Sequence, residues 1–309
     1  MNYTLLRSFF TLLLIGTLLT LACKKKGGGS NDIDIELIEA TTEFPAKVRL
    51  FFQVDMGEDQ SFGTLNESNF QIYENNLQIS DLESQAKIQN EVGSYLFSSI
   101  VLLDLSGSVL NGDALPRVKD ATINYIQEVM PNTNEAKFGS KEMAVYWFDG
   151  EENIHLLAPF SIDKFALIDS VRAITSAISN DNSTNLNGAI IQGISELEAR
   201  ITDRNQDPRL STAGTLLLFS DGADQAGRAT MEDAIIATES LTNQYSLFTI
   251  GLGSDIDESF LRLIGKEGNE FALTSFDLNQ VFLEMGRKVT KTMDSNIVLE
   301  YCSPKISGD

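Results

Sequence analysis

Leu96 to Val109, LFSSIVLLDLSGSV, is a nearly unbroken apolar run. It ends in a carboxylate and two hydroxyls at alternate positions, Asp104, Ser106 and Ser108. Runs without polar alternation belong to strands buried on both faces, as in parallel sheets covered by helices. Thr215 to Ser220 repeats the pattern and closes on Asp221-Gly222. Around these runs the apolar positions switch to a helical period. Val118, Ala121, Tyr125 and Val129 stripe a segment from Pro116, with Pro131 after its end. Helices are also predicted over Phe165–Ile178, Gly188–Ile201, Met231–Leu241, Asp257–Ile264 and Leu278–Met293. Further strands are predicted at Glu142–Phe148, Ser246–Ile250 and Phe271–Leu273, with Ile154–Ala158 hairpinning onto the first of them across Asp149-Gly150. Repeated β–α alternation predicts an α/β domain with a mostly parallel central sheet flanked by helices.

The stretch before this domain reads differently. From Ile33 to about Ser94 the pattern is strand-like, with a strand over Val48–Val54 and a polar loop from Gly57 to Glu67. Phe70–Glu74 and Leu77–Ser80 flank Asn75-Asn76, the pattern of a hairpin with a two-residue turn. A small β-rich, sandwich-like module accounts for this, as would extra edge strands on the main sheet. Ile297–Tyr301 is a last strand. The expected organisation is a signal peptide over 1–22, a tether over 23–32 and a β-rich module over 33–94. The main domain then occupies 95–295, and a C-terminal strand and tail 296–309.

Composition narrows the function. The chain has 309 residues, 42% of them hydrophobic, enough to bury one large core and a small one. Its net charge of -21 excludes nucleic acid, whose binding depends on Lys and Arg neutralising phosphates. The same charge excludes docking on anionic lipid through a basic face. It is compatible with divalent cations, basic partners or a plainly solvated acidic surface.

At the N-terminus, Arg7, the apolar Leu12–Leu21 and Leu21-Ala22-Cys23 have the layout of a secretory signal, too short to span a bilayer. Ala22-Cys23 resembles the lipobox of bacterial lipoproteins, although Thr20 stands where that pattern prefers Leu. The resemblance implies that Cys23 is lipidated and anchors the chain in the bacterial cell envelope. Lys24 points to the outer membrane, and Lys24-Lys25-Lys26 with Gly27-Gly28-Gly29-Ser30 forms a flexible tether. Cys302, the only other cysteine, is then expected to be a buried or half-buried free thiol, with a Cys23–Cys302 disulfide as the alternative.

The chemistry lies where buried strands end. Open α/β sheets bind ligands just beyond the carboxyl ends of their strands. Three oxygen-rich elements fall at such ends. They are Asp104-x-Ser106-x-Ser108, Thr184 directly before the helix near Gly188, and Asp221-Gly222. In this order they resemble the metal-ion-dependent adhesion site (MIDAS) of von Willebrand factor type A (VWA) domains. The resemblance runs over roughly residues 96–295 and takes in Thr249-Ile-Gly-Leu-Gly253. It implies a Rossmann-like VWA fold in which Ser106, Ser108 and Thr184 coordinate a cation through hydroxyls. Asp104 and Asp221 act mostly through water. A donor set of oxygens selects a hard ion, Mg²⁺ first, with Mn²⁺ or Ca²⁺ as alternatives. Three neutral direct ligands leave the ion a strong attraction for a carboxylate, which implies a protein partner presenting an acidic side chain.

Other classes are less well served. A hydrolase would need a base, and the sole histidine, His155, lies in a predicted strand and reads as structural. There is no Gly-x-Ser-x-Gly elbow or Walker A loop, and Ile256 stands where a dinucleotide fingerprint needs its third glycine, so no nucleotide is expected. Asp203-x-Asn205-x-Asp207 starts like a calcium loop. However, Pro208 and Gly214 occupy the places of its glycine and glutamate, so it reads as a polar loop. Ser254-Asp-Ile-Asp257 reads as a helix cap. A structural lipoprotein with its metal site unused is the main alternative to a binding module; a metal-assisted hydrolase ranks last.

Overall fold

The computed structural model describes residues 33–55, 65–89 and 92–304. The signal segment, Cys23 and the tether lie outside them. The described residues begin with a hairpin, β1 (Asp34–Glu43) pairing antiparallel with β2 (Lys47–Asp55). A small hairpin, β3 (Tyr73–Glu74) and β4 (Leu77–Gln78), follows. Its turn residues Asn75 and Asn76 take φ of 50° and 63°, the left-handed pair that a two-residue turn demands and that Asn tolerates. A one-turn helix α1 (Asp81–Ser84) and β5 (Lys87–Ile88) complete this part.

The α/β domain starts with β6 (Tyr95–Asp104), then α2 (Gly107–Asn111) and α3 (Ala114–Val129). Pro116 is the third residue of α3, inside the first turn, where its missing N–H is no loss. Strands β7 (Lys141–Phe148) and β8 (His155–Ser161) form the hairpin read across Asp149-Gly150. Helix α4 covers only Lys164–Arg172, shorter than its apolar pattern predicts; the chain turns at Ala173, and Ile174 still buries itself in the core from a non-helical stretch. Next come α5 (Leu186–Arg204), β9 (Ser211–Ser220), α6 (Met231–Glu239) and β10 (Tyr245–Leu252). The chain continues with α7 (Glu258–Ile264), capped by Asp257, then β11 (Gly268–Ala272), α8 (Leu278–Asp294) and β12 (Asn296–Cys302). Among the described residues no helix is long and apolar enough to cross a membrane.

The main sheet has the order β11-β10-β9-β6-β7-β8, parallel throughout except for β8 at its edge. β6 and β9 sit at its centre, and alternate residues feed two cores. Val101, Leu103, Leu217 and Phe219 face α3, α4 and α8; Ile100, Leu102, Leu216 and Leu218 face α5, α6 and α7. Burial on both faces is why these strands carry no polar alternation. At about 25 cal/mol per Å² of apolar surface, such a core is the dominant stabilising element.

The second sheet has the order β1-β2-β12-β5, with β12 antiparallel to both neighbours. The sequence separates residues 296–309 from the module at 33–94, but the last strand lies inside the module's sheet. Local patterning carries no signal for a pairing that brings Leu299 opposite Leu50. Arg49 bonds the two sheets together. Its side chain donates to Ser211 Oγ at 3.2 Å, to the Ser94 carbonyl and to Glu300 at 3.4 Å. Phe51 and Val298 join the main core. Cys302 is exposed, contrary to the expected buried or half-buried thiol, because it is the last residue of β12, paired at the sheet's end with Lys47.

A candidate metal centre at the carboxyl ends of β6 and β9

Asp104 is the last residue of β6 and is fully buried. Its carboxylate is held on both sides. Oδ1 accepts from the Ser106 N–H at 3.0 Å, and Oδ2 accepts from the Ser220 hydroxyl at 2.7 Å. Beyond Asp104 the chain turns into α2, whose first turn carries Ser108. Ser106 Oγ lies 3.2 Å from Ser108 Oγ, and Ser108 Oγ donates to Asp221 Oδ1 at 2.8 Å. Asp221 directly follows β9. Four of the five residues singled out from the sequence thus form one connected chain of polar contacts across the ends of two neighbouring strands.

Thr184, the fifth, arrives from the loop before α5 and is 2% exposed. Its carbonyl accepts from the Gln225 and Ala226 N–H groups at 2.8 and 3.0 Å, which clips its loop to the one that follows Asp221. A Cβ placed on Gly222 would stand 4.0 Å from Thr184 Oγ1, so the hydroxyl lies beside the turn that follows Asp221. The third side of the triangle is closed by the Gly107 N–H, which donates to the Asn182 carbonyl at 3.1 Å. A Cβ on Gly107 would come within 2.7 Å of Asn182, so these two loops meet as closely as they do only because residue 107 lacks a side chain.

The electrostatics are unfavourable as they stand. Burial, and then the charge of Asp221, pushes the Asp104 carboxyl up from its ordinary 3.8 to about 7. Asp221 is also raised, by burial first and further by the charge of Asp255, against the Ser108 hydrogen bond. Two carboxylates near each other at low solvent access want either a proton or a cation. The donors are hydroxyl and carboxylate oxygens, the set that suits Mg²⁺ and similar hard ions. Ser106 Oγ and Ser108 Oγ, two of the hydroxyls assigned to the ion, are 3.2 Å apart, close to the ~3.0 Å expected between adjacent ligands at octahedral Mg²⁺–O bonds of ~2.1 Å. The residues present therefore fit a divalent cation.

Several supporting residues escape sequence reasoning. Ser220, which holds Asp104, reads only as the end of an apolar strand. Asn185 caps α5 by accepting from Gly188, while its own N–H donates to the Asp149 carbonyl at 2.8 Å and its side-chain amide to the Glu151 carbonyl at 2.9 Å. These bonds brace the Thr184 loop against the β7–β8 turn. Ser220 has a usable signal in its place beside Asp221, and Asn185 has one as the residue capping α5; their bonds to Asp104, Asp149 and Glu151 have none, because those partners are more than thirty residues away.

An open, mostly parallel sheet flanked by helices, with oxygen-bearing side chains gathered at the ends of its central strands, defines a class of α/β domains. Within that class, the sequence profile of the von Willebrand factor type A domain matches residues 100–284, and the chain belongs to that family. Among curated proteins it is similar to inter-alpha-trypsin inhibitor heavy chain H1 of Mesocricetus auratus, 24% identical over 209 residues, 65% of this chain and 21% of that protein. It is likewise similar to heavy chain H4 of Bos taurus, 21% identical over 215 residues, 68% of this chain and 22% of that protein. The chain thus spans about a fifth of the length of these relatives. Among solved structures, a von Willebrand factor type A protein from Catenulispora acidiphila superposes with a TM-score of 0.50 at 16% identity, over 84% of this chain and 50% of that one. Proximal thread matrix protein 1 from the mussel byssus, with a zinc-occupied MIDAS motif, has a TM-score of 0.50 at 14% identity, over 64% of this chain and 48% of that one. At these identities the structural likeness speaks for the fold alone.

Proposed function

We propose that this chain is a membrane-tethered, metal-dependent protein-binding module. Membership of the von Willebrand factor type A family, whose domains typically bind proteins, supports this reading. The finer reading is that Ser106, Ser108 and Thr184 hold a divalent cation, Mg²⁺ first, by their hydroxyls. Asp104 and Asp221 orient those hydroxyls and the ion's waters. The cation supplies an electrophilic contact for a carboxylate offered by a protein partner. The observation that carries this reading is the connected polar cluster running from Ser220 through Asp104, Ser106 and Ser108 to Asp221, with the Thr184 hydroxyl beside the turn that follows Asp221. Neutral hydroxyls leave most of the ion's charge uncompensated, so an incoming acid gains more than it would beside a fully anionic site. Recognition, with hydrolysis not implied, is the activity proposed.

Lipidation at Cys23 is proposed to hold the module at the bacterial envelope, on the outer membrane, with residues 24–32 as the tether. The test is a pull-down from native membranes with and without chelator, using wild type and Thr184→Ala, with palmitate-analogue labelling of wild type and Cys23→Ser in the same cells. The expected result is a partner captured by wild type in Mg²⁺, lost with chelator or with Thr184→Ala, and label absent from Cys23→Ser. Capture that is indifferent to both chelator and Thr184→Ala rules the metal-bridged mode out. Equal labelling of Cys23→Ser rules the anchor out.

A further inference from the structure

The turn between β7 and β8 gathers a second set of ligand atoms, of different chemistry. Asp149, the residue after β7, is 1% exposed. Its Oδ1 accepts from the Glu151 N–H at 2.8 Å, and its Oδ2 accepts from the Ser179 hydroxyl. Each carboxylate oxygen has a second lone pair beyond these bonds. His155 opens β8, and its ring stacks on Trp147 with centroids 4.1 Å apart and planes 17° from parallel. The stack fixes the imidazole. Its Nε2 is shielded from solvent yet makes no hydrogen bond, while Glu151 Oε2 sits 3.3 Å away without the alignment a hydrogen bond needs. One ligand atom from each of Asp149, Glu151 and His155 lies within 4.8 Å of the others.

A buried ring nitrogen without a partner is costly, and a carboxylate beside it but out of line does not repair the loss. A metal ion between them does. Tetrahedral ligands at ~2.0–2.1 Å from zinc are ~3.4 Å apart, close to the 3.3 Å between Nε2 and Oε2. Glu151 is half exposed, so its side chain can close the remaining distance. One imidazole and two carboxylates suit borderline ions of the Zn²⁺ type, in contrast to the oxygen-only cluster around Ser106 and Ser108. Ser179 supplies the outer hydrogen bond that orients a ligating carboxylate.

We propose that Asp149, Glu151 and His155 form a second cation site, separate from the hydroxyl cluster, that takes a Zn²⁺-type transition ion at the β7–β8 turn. This inference does not depend on the proposed binding function, although the Asp149 carbonyl also braces Asn185 beside Thr184.

The chain has one tryptophan and one histidine, so the site carries its own reporter. The experiment is a Zn²⁺ titration of the full chain in detergent at saturating Mg²⁺, read by Trp147 emission and by calorimetry. Wild type should show a saturable change at one equivalent, and Asp221→Ala should keep it. His155→Gln and Glu151→Gln, changes at partly exposed positions checked for folding by circular dichroism, should bind at least about tenfold more weakly. The site is refuted if wild type gives neither heat nor emission change, in which case Glu151 and His155 are a plain ion pair. It is also refuted if His155→Gln titrates like wild type. A loss in Asp221→Ala as large as that in His155→Gln would place the zinc at the hydroxyl cluster and overturn the separation.

Discussion

Replacing Asp104 by alanine is expected to weaken Mg²⁺ binding by about 10- to 100-fold, measured by calorimetry. Asp104 organises the cluster from behind. It fixes the Ser106 backbone at 3.0 Å and anchors Ser220 at 2.7 Å, and it is one of the cluster's two carboxylates. Its titration gives the effect a pH signature. Burial and Asp221 raise the carboxyl to about 7 when no metal is present, against 3.8 for an ordinary aspartate. The folded chain therefore binds this proton more tightly than the unfolded chain does. This group's contribution to metal-free stability is greatest below 3.8 and declines as pH rises toward about 7. A cation competes with the same proton, so Mg²⁺ affinity in wild type should fall as pH drops below about 7. Asp104→Ala should show a flatter profile, with only Asp221 left to titrate. Wild-type affinity unchanged by the substitution would exclude Asp104 from the site.

Phe282→Ala is expected to cost about 3–5 kcal/mol of stability, read as a lower urea midpoint with an unchanged slope. Phe282 is fully buried on the inner face of α8, 5.5 Å from the Phe219 ring and 6.5 Å from the Tyr125 ring, the latter edge to face. Those partners come from β9 and α3, so the truncation opens a cavity where helix, helix and central sheet meet. Close-packed interiors relax only partly around such a void. Only Ser295 separates α8 from β12, the strand that joins the second sheet, so loosening α8 should destabilise both sheets in one transition. A loss below about 1 kcal/mol would mean that the α8 contact is not the keystone this packing implies.

Much of this architecture was legible from residue patterns. β6 and β9 announce themselves because a strand covered on both sides has no solvent face to keep polar. Asp104, Ser106 and Ser108 could be read together because they lie within five residues and follow the strand's end. Thr184 and Asp221 joined them only through the resemblance to von Willebrand factor type A domains; Asp221 does follow a buried strand, whereas Thr184 lies in the loop between two helices, α4 and α5, where no strand-end rule reaches it. The end of α4 is not legible in the same way, because apolar spacing continues through Ile174 whether or not the backbone is helical.

The sequence by itself determined the α/β alternation, the two buried central strands and the types of oxygen ligand available, because each of these is written in neighbouring residues. Tertiary structure alone decided that β12 closes the sheet begun by β1 and β2, and that Ser220 holds Asp104. The physical reason is separation along the chain. Hydrophobic period and motif spacing report local geometry, whereas a contact between residues tens or hundreds of positions apart exists only once the packed cores have brought their elements together.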